Sequence, residues 1–128
     1  MVDLGQKSAK LSILVARGEV TSTELLEAYK SFLDSSPTPF ALLNLAAASL
    51  ARIDAEGVRA LAERVMEVGK ERWTHGRAAI VCSRDSDFST ARMFVTLLSR
   101  MGFPVQFAVF PGPCSATAWL ERATDLLW

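Results

Sequence analysis

The sequence predicts an α/β protein: a mostly parallel sheet of four to five strands with about four helices. Three observations carry that expectation. Short apolar runs alternate with longer stretches of helical period along the chain. The apolar runs are nearly continuous, as strands buried on both faces of a sheet are. The stretch from Gly76 to Met101 shows the repeating unit most clearly. There Ala78-Ala79-Ile80-Val81-Cys82 leads through the polar turn Ser83-Arg84-Asp85-Ser86-Asp87 into a helix whose apolar face is Phe88, Ala91, Val95, Leu98 and Met101. A buried strand feeding a helix is half of a βαβ unit.

Residues 1–10 are expected to be weakly structured or to form a short edge strand around Val2 and Leu4. The remainder, 11–128, reads as one domain. Leu11 to Ala16 is short, apolar and partly β-branched, a strand that Gly18 is expected to end. Thr21-Ser22-Thr23-Glu24 is a capping-box pattern, in which the Thr21 hydroxyl and the Glu24 carboxylate satisfy each other's backbone N–H groups. The helix it starts has Leu25, Leu26, Tyr29, Phe32 and Leu33 on its apolar side, and Ser35-Ser36-Pro37-Thr38-Pro39 breaks it. Phe40 to Leu45 is the next strand, with Ala46 to Ile53 expected as a connecting segment. Asp54 is placed to cap a helix over Ala55 to Arg72, with Trp73 closing its apolar side. After the Gly76–Met101 unit, Gly102 stands where a left-handed residue ends helices. Pro104 to Phe110 is a strand, Pro111-Gly112-Pro113 a turn, and Ser115 to Leu126 a helix with Ala116, Trp119, Leu120 and Ala123 inward.

Composition excludes several classes. With 128 residues, half of them hydrophobic, the chain can bury a core without covalent staples. Fourteen basic and fourteen acidic side chains cancel, and the arginines are scattered among acids, so no nucleic-acid partner is expected. No apolar run reaches the roughly 18 residues of a membrane span. The N-terminus shows no compact apolar core with a small-residue cleavage site, and a cytoplasmic location is the expectation. Two cysteines, Cys82 and Cys114, and one histidine, His75, supply neither a disulfide framework nor a metal site. No glycine-rich phosphate loop occurs, and no cofactor is expected.

The chemistry that the residues allow is limited. Cys82 stands at a strand end before a helix start, where a thiolate can be stabilised, or else it is a small buried hydrophobe. His75 is expected at the opposite end of that strand, so no Cys–His pair forms locally. One histidine and no recognisable nucleophile elbow leave no catalytic residue to name. Ser83, Asp87, Phe88 and Arg92, around the start of the Gly76–Met101 helix, are the candidate ligand-binding residues. Arg92 reads either as an anion or partner contact or as a surface ion-pair residue, and Trp128 either as an exposed contact or as a cover for the core.

Several segments together resemble a known family. They are Gly76-Arg77-Ala78-Ala79-Ile80-Val81, Asp87-Phe88, Ala91-Arg92-Met93-Phe94, Val109-Phe110 and Ala116-Thr117-Ala118-Trp119-Leu120. They resemble the small bacterial STAS/SEC14-like (SpoIIAA-like) proteins of unassigned function, over roughly Leu11 to Leu120. The resemblance implies a STAS-like single domain, often with an extra antiparallel N-terminal strand, for which Met1 to Leu4 remains here. In the anti-sigma-factor antagonists of that superfamily, a helix start of the pattern Asp-Ser-Ser/Thr-Gly carries a switch phosphoserine. Asp54-Ala55-Glu56-Gly57 is similar to it, with Asp54 and Gly57 matching and Ala55 at the phosphorylatable position. That implies partner binding at Asp54, Ala55, Glu56 and Gly57 without a phosphoserine switch. Glu56 also reads as ordinary helix-start chemistry, a carboxylate facing the positive end of the helix dipole.

Three functions follow. The first is a non-enzymatic regulatory module that binds a protein partner or a second copy of itself. The second is a binder of an apolar or acyl small molecule, of the SEC14-like type, with the ligand held beneath the helix of the Gly76–Met101 unit. The third is a thiol enzyme using Cys82.

Overall fold

The computed structural model describes residues 2–6, 10–35 and 37–127. The chain runs β1 (Val2–Gln6), β2 (Leu11–Glu19), α1 (Ser22–Asp34), β3 (Phe40–Ser49), α2 (Ala55–Gly69), β4 (Arg77–Val81), α3 (Asp85–Arg100), β5 (Gln106–Phe110) and α4 (Pro113–Leu127). The five strands form one sheet in the order β1-β2-β3-β4-β5. β1 is antiparallel to β2, and every later pair is parallel. The expected α/β architecture is therefore present, and the N-terminal edge strand forms.

Strand order follows chain order without reversal, and that decides where the helices go. Each crossover from β2 to β5 steps in the same direction across the sheet. One hand of crossover then puts all three connecting helices on the same face. The packing agrees. Phe32 and Leu33 of α1, Leu61, Ala62 and Val65 of α2 and Leu98 of α3 share one core with Ala41 and Ala78 of the sheet. Helix α4 follows β5, the last described strand, and folds onto the other face. There Ala116 and Leu120 pack against Phe40, Leu42, Ala79 and Val81. Alternate residues of β3 and β4 thus serve two cores, which is why both strands are mostly apolar, with Asn44 and Ser49 the polar residues of β3 and Arg77 that of β4.

Local chemistry ends the elements where the sequence indicates. The Thr21 hydroxyl accepts from the Glu24 N–H at 3.2 Å, and the Glu24 carboxylate accepts from the Thr21 N–H at 3.1 Å. At the end of α3, Gly102 has φ of 79°, its N–H donates to Ser99 O, and the Phe103 N–H donates to Leu98 O. That is a Schellman ending, which a left-handed glycine makes without strain. Gly76 has φ of 114°, and a Cβ there would overlap the carbonyl oxygen of Pro39. The lead-in to β4 needs that close approach, because the Arg77 N–H donates to the same oxygen at 3.0 Å. Trp73 closes the α2 side of the core as expected. It is 4% exposed, stands edge-on to Phe32 at 4.8 Å, and donates its indole N–H to Thr38 O at 3.0 Å.

Several boundaries differ from expectation. Gly18 does not end β2, although its φ is 70°. The strand continues to Glu19 after an irregularity between Val15 and Arg17, and β3 runs on through Ala46 to Ser49 beside it. Each extension supplies the other's pairing partner. Helix α2 stops at Gly69 rather than Arg72, β5 starts at Gln106 rather than Pro104, and α4 starts at Pro113. Proline at the first turn of a helix is favoured, because its missing N–H has no intrahelical acceptor. Met1, Trp128 and the side chain of Ala123 lie outside the described residues.

Candidate functional site

The start of α2 is an exposed corner on a buried footing. Ile53 and Val58 are buried, whereas Asp54, Ala55 and Glu56 are exposed. Asp54 is the N-cap, and its Oδ1 accepts from the Gly57 N–H at 2.8 Å. Gly57 makes room for this cap. A Cβ there would stand 3.2 Å from Asp54 Oδ1 and 3.3 Å from Ile53 Cγ2. The four residues singled out in the sequence thus form one turn, fixed by their own chemistry. Beside it the Arg52 guanidinium pairs with the Glu19 carboxylate at 3.0 Å on the surface.

A second set of bonds ties the end of β3 and the segment that leads into this corner to the start of α3. The Leu50 N–H donates to Asp87 Oδ1 at 3.1 Å, and the Ser83 hydroxyl donates to Ala46 O at 2.9 Å. Arg84 reaches the Ala48 carbonyl at 3.4 Å and lies 3.7 Å from the Asp87 carboxylate. Asp87 is only 4% exposed. Of the four candidate ligand-binding residues, Ser83 and Asp87 are therefore engaged in tying β3 to α3. Phe88 packs half-buried against the core formed by Ala16, Val20 and Ala91. Arg92 is exposed on α3. Helix α3 itself begins at Arg84 without a side-chain cap, so Asp85 and Asp87 contribute charge near the helix dipole rather than a capping bond. The tether from Asp87 to Leu50 was not visible in the sequence, since its partner is a backbone group 37 residues away.

The rim at the carboxyl ends of the strands lacks one feature that seats ligands in open α/β sheets. Such crevices open where strand order reverses, and no reversal occurs among the described strands. Cys82 sits at this rim, yet it is 1% exposed. Burial, and then the Asp87 carboxylate, push its thiol up to about 11. It packs as a small hydrophobe, not as a stabilised thiolate. His75 precedes β4 while Cys82 follows it, so the two stand at opposite ends of the strand. Among the described residues, no group of three His, Cys, Asp or Glu side chains could hold a metal ion, and no helix is long and apolar enough to cross a membrane.

Between the sheet and helices α1, α2 and α3 lies an apolar cavity of about 110 Å³. Ile53 and Val58, on either side of the α2 start, both line it. None of Ser83, Asp87, Phe88 and Arg92 does.

Solved structures share this architecture. An anti-sigma factor antagonist from Mycobacterium paratuberculosis superposes with a TM-score of 0.60 at 18% identity, over 94% of this chain and 93% of that one. The unphosphorylated form of the anti-sigma factor antagonist SpoIIAA gives 0.55 at 12% identity, over 95% and 97%. The fold is SpoIIAA-like. An uncharacterised protein of SpoIIAA-like fold from Shewanella loihica gives 0.52 at 16% identity, over 94% and 92%. At these identities the likeness is one of fold, and the STAS-like architecture expected from the sequence is the one found. No family model and no curated protein matches the chain.

Proposed function

We propose that this chain is a non-enzymatic regulatory module that docks a protein partner through the start of α2, at Asp54, Ala55, Glu56 and Gly57. The observation that carries this reading is the corner itself. It is exposed and capped at 2.8 Å, and the segment leading into it is anchored by the Asp87–Leu50 bond at 3.1 Å. A preformed surface loses little conformational freedom on binding, which favours recognition. Two structures of similar fold are named as antagonists of anti-sigma factors, and their target is thus itself a protein. The buried, protonated Cys82 gives the thiol-enzyme reading no support. Ala55 offers no hydroxyl, so docking here has no phosphorylation switch at that residue and runs constitutively, with Glu56 as a fixed negative charge.

The test is affinity capture from an extract of the encoding organism, using the wild-type chain and an Ala55→Arg/Glu56→Lys variant in parallel. Both positions are exposed, so the variant should keep the wild-type unfolding midpoint. A partner held by the wild type and lost by the variant is the expected result. Size-exclusion chromatography of both proteins shows whether that partner is a second copy. An identical set of partners on both proteins would sink the assignment of this corner.

A further inference from the structure

We propose that the cavity under helices α1, α2 and α3 is a binding site for a compact, uncharged, apolar ligand. Its walls come from every layer of that face: Leu14 and Leu45 from the sheet, Val58 and Leu61 from α2, and Ala91 and Phe94 from α3. Its volume, about 110 Å³, far exceeds the gap that a missing methyl group leaves. An engineered protein cavity of roughly 150 Å³ with similar Leu, Ile and Phe walls stays dry and takes up benzene or xenon.

Water has little to hold it here. A buried water needs about two to four polar partners. Among the described residues, two hydroxyl-bearing side chains line the cavity, Thr90 and Tyr29. The Thr90 hydroxyl already donates to Ser86 O at 3.0 Å within its own helix. The Tyr29 hydroxyl is buried against Gly69 and has no hydrogen-bond partner among the described residues, so it offers a water one polar contact, fewer than a buried water needs. A charged ligand would find no counter-charge among these walls. Size sets the other limit: an atom such as xenon, a single ring or the end of a short alkyl chain fits, and a whole acyl chain does not. The proposal thus narrows the apolar or acyl alternative expected from the sequence to compact apolar guests, in a cavity whose walls do not include Ser83, Asp87, Phe88 or Arg92.

The position gives occupancy a consequence. Ile53 and Val58 bracket the exposed turn of Asp54 to Gly57, and both touch the cavity. A guest therefore packs directly beneath that corner and stabilises it. The proposal stands whether or not the corner docks a partner.

The experiment uses xenon and benzene as probes on the full chain. Xenon under pressure should shift the amide resonances of Leu14, Leu45, Val58 and Phe94 with a saturable dependence. Benzene at tenfold excess over its dissociation constant should raise the unfolding midpoint by about 5 °C. Ala91→Leu fills the cavity and should abolish both responses; Ala28→Leu fills it from α1 and serves if the first variant does not fold. A saturable response to either probe that the filled variant loses supports the site. No response to either probe, or a response that persists in the filled variant, overturns it.

Discussion

Asp87 Oδ1 accepts the backbone N–H of Leu50 at 3.1 Å, and both residues are buried. The bond joins the first turn of α3 to the segment that leads into α2. A carboxylate normally avoids the interior unless it is paired and hydrogen-bonded. Here Arg84, 3.7 Å away, supplies the charge partner, and Leu50 supplies the donor.

Replacing Asp87 separates these two roles. Asp87→Ala leaves the buried Leu50 N–H without an acceptor and should cost about 1–3 kcal/mol in chemical denaturation. Asp87→Asn keeps an oxygen in place and should cost clearly less. In the alanine variant the Leu50 amide should also exchange with solvent faster. Equal losses for the two variants would show that the hydrogen bond is not what Asp87 contributes.

Tyr29 and Gly69 form a second coupled pair. Among the described residues the buried Tyr29 hydroxyl has no hydrogen-bond partner, and burial raises its pKa. Removing it in Tyr29→Phe should leave stability unchanged or raise it by up to about 1 kcal/mol. Gly69→Ala places a methyl group where that oxygen lies and should cost about 1–3 kcal/mol. The double variant should recover part of the loss, with a coupling energy on the order of 1 kcal/mol. Strict additivity would mean that the two groups do not touch in solution.

The two cysteines should differ in reactivity. At pH 8 an alkylating reagent should modify exposed Cys114 in the folded protein and reach buried Cys82 only on unfolding. A pH dependence of stability follows from the same burial. The Cys82 thiol is pushed up to about 11 from an ordinary value of 9.0. The folded state thus keeps a proton that the unfolded state has already released. This contribution is intact below about pH 9 and is lost as pH rises through about 11. Wild-type protein should therefore lose more stability over that interval than Cys82→Ala. Parallel pH profiles would refute the raised thiol.

Local signals in the sequence were reliable where the chemistry is itself local. The Thr21 and Glu24 capping box, the Asp54 cap and the Gly102 ending each depend on residues within about a turn of one another, and each forms as read. The outer halves of β2 and β3 were hidden for the opposite reason. Gly18 and the run Ala46-Ala47-Ala48 have little strand preference of their own. Arg17, Gly18 and Glu19 pair with Ala47, Ala48 and Ser49, and Ser83 and Arg84 hold the β3 backbone from the side. Asp87 reads as helix-start chemistry until Leu50 is seen beside it. Similarly, the cavity has no sequence signature. It arises from how apolar side chains on three helices meet the sheet, and each of those positions reads simply as core.

The unreversed strand order has a further consequence for the chain as it is made. Synthesis runs from β1 to β5, and each strand after the first emerges when its neighbour already exists. β2 can fold back on β1 as a hairpin, and β3, β4 and β5 then each add to an existing edge. No slot stays open in the middle of the sheet for a segment that the ribosome has yet to deliver. Sheets with a reversed order lack this property, because an inner strand must wait for a partner encoded later. This architecture can grow in the direction of translation, with each new helix covering the strands laid down just before it.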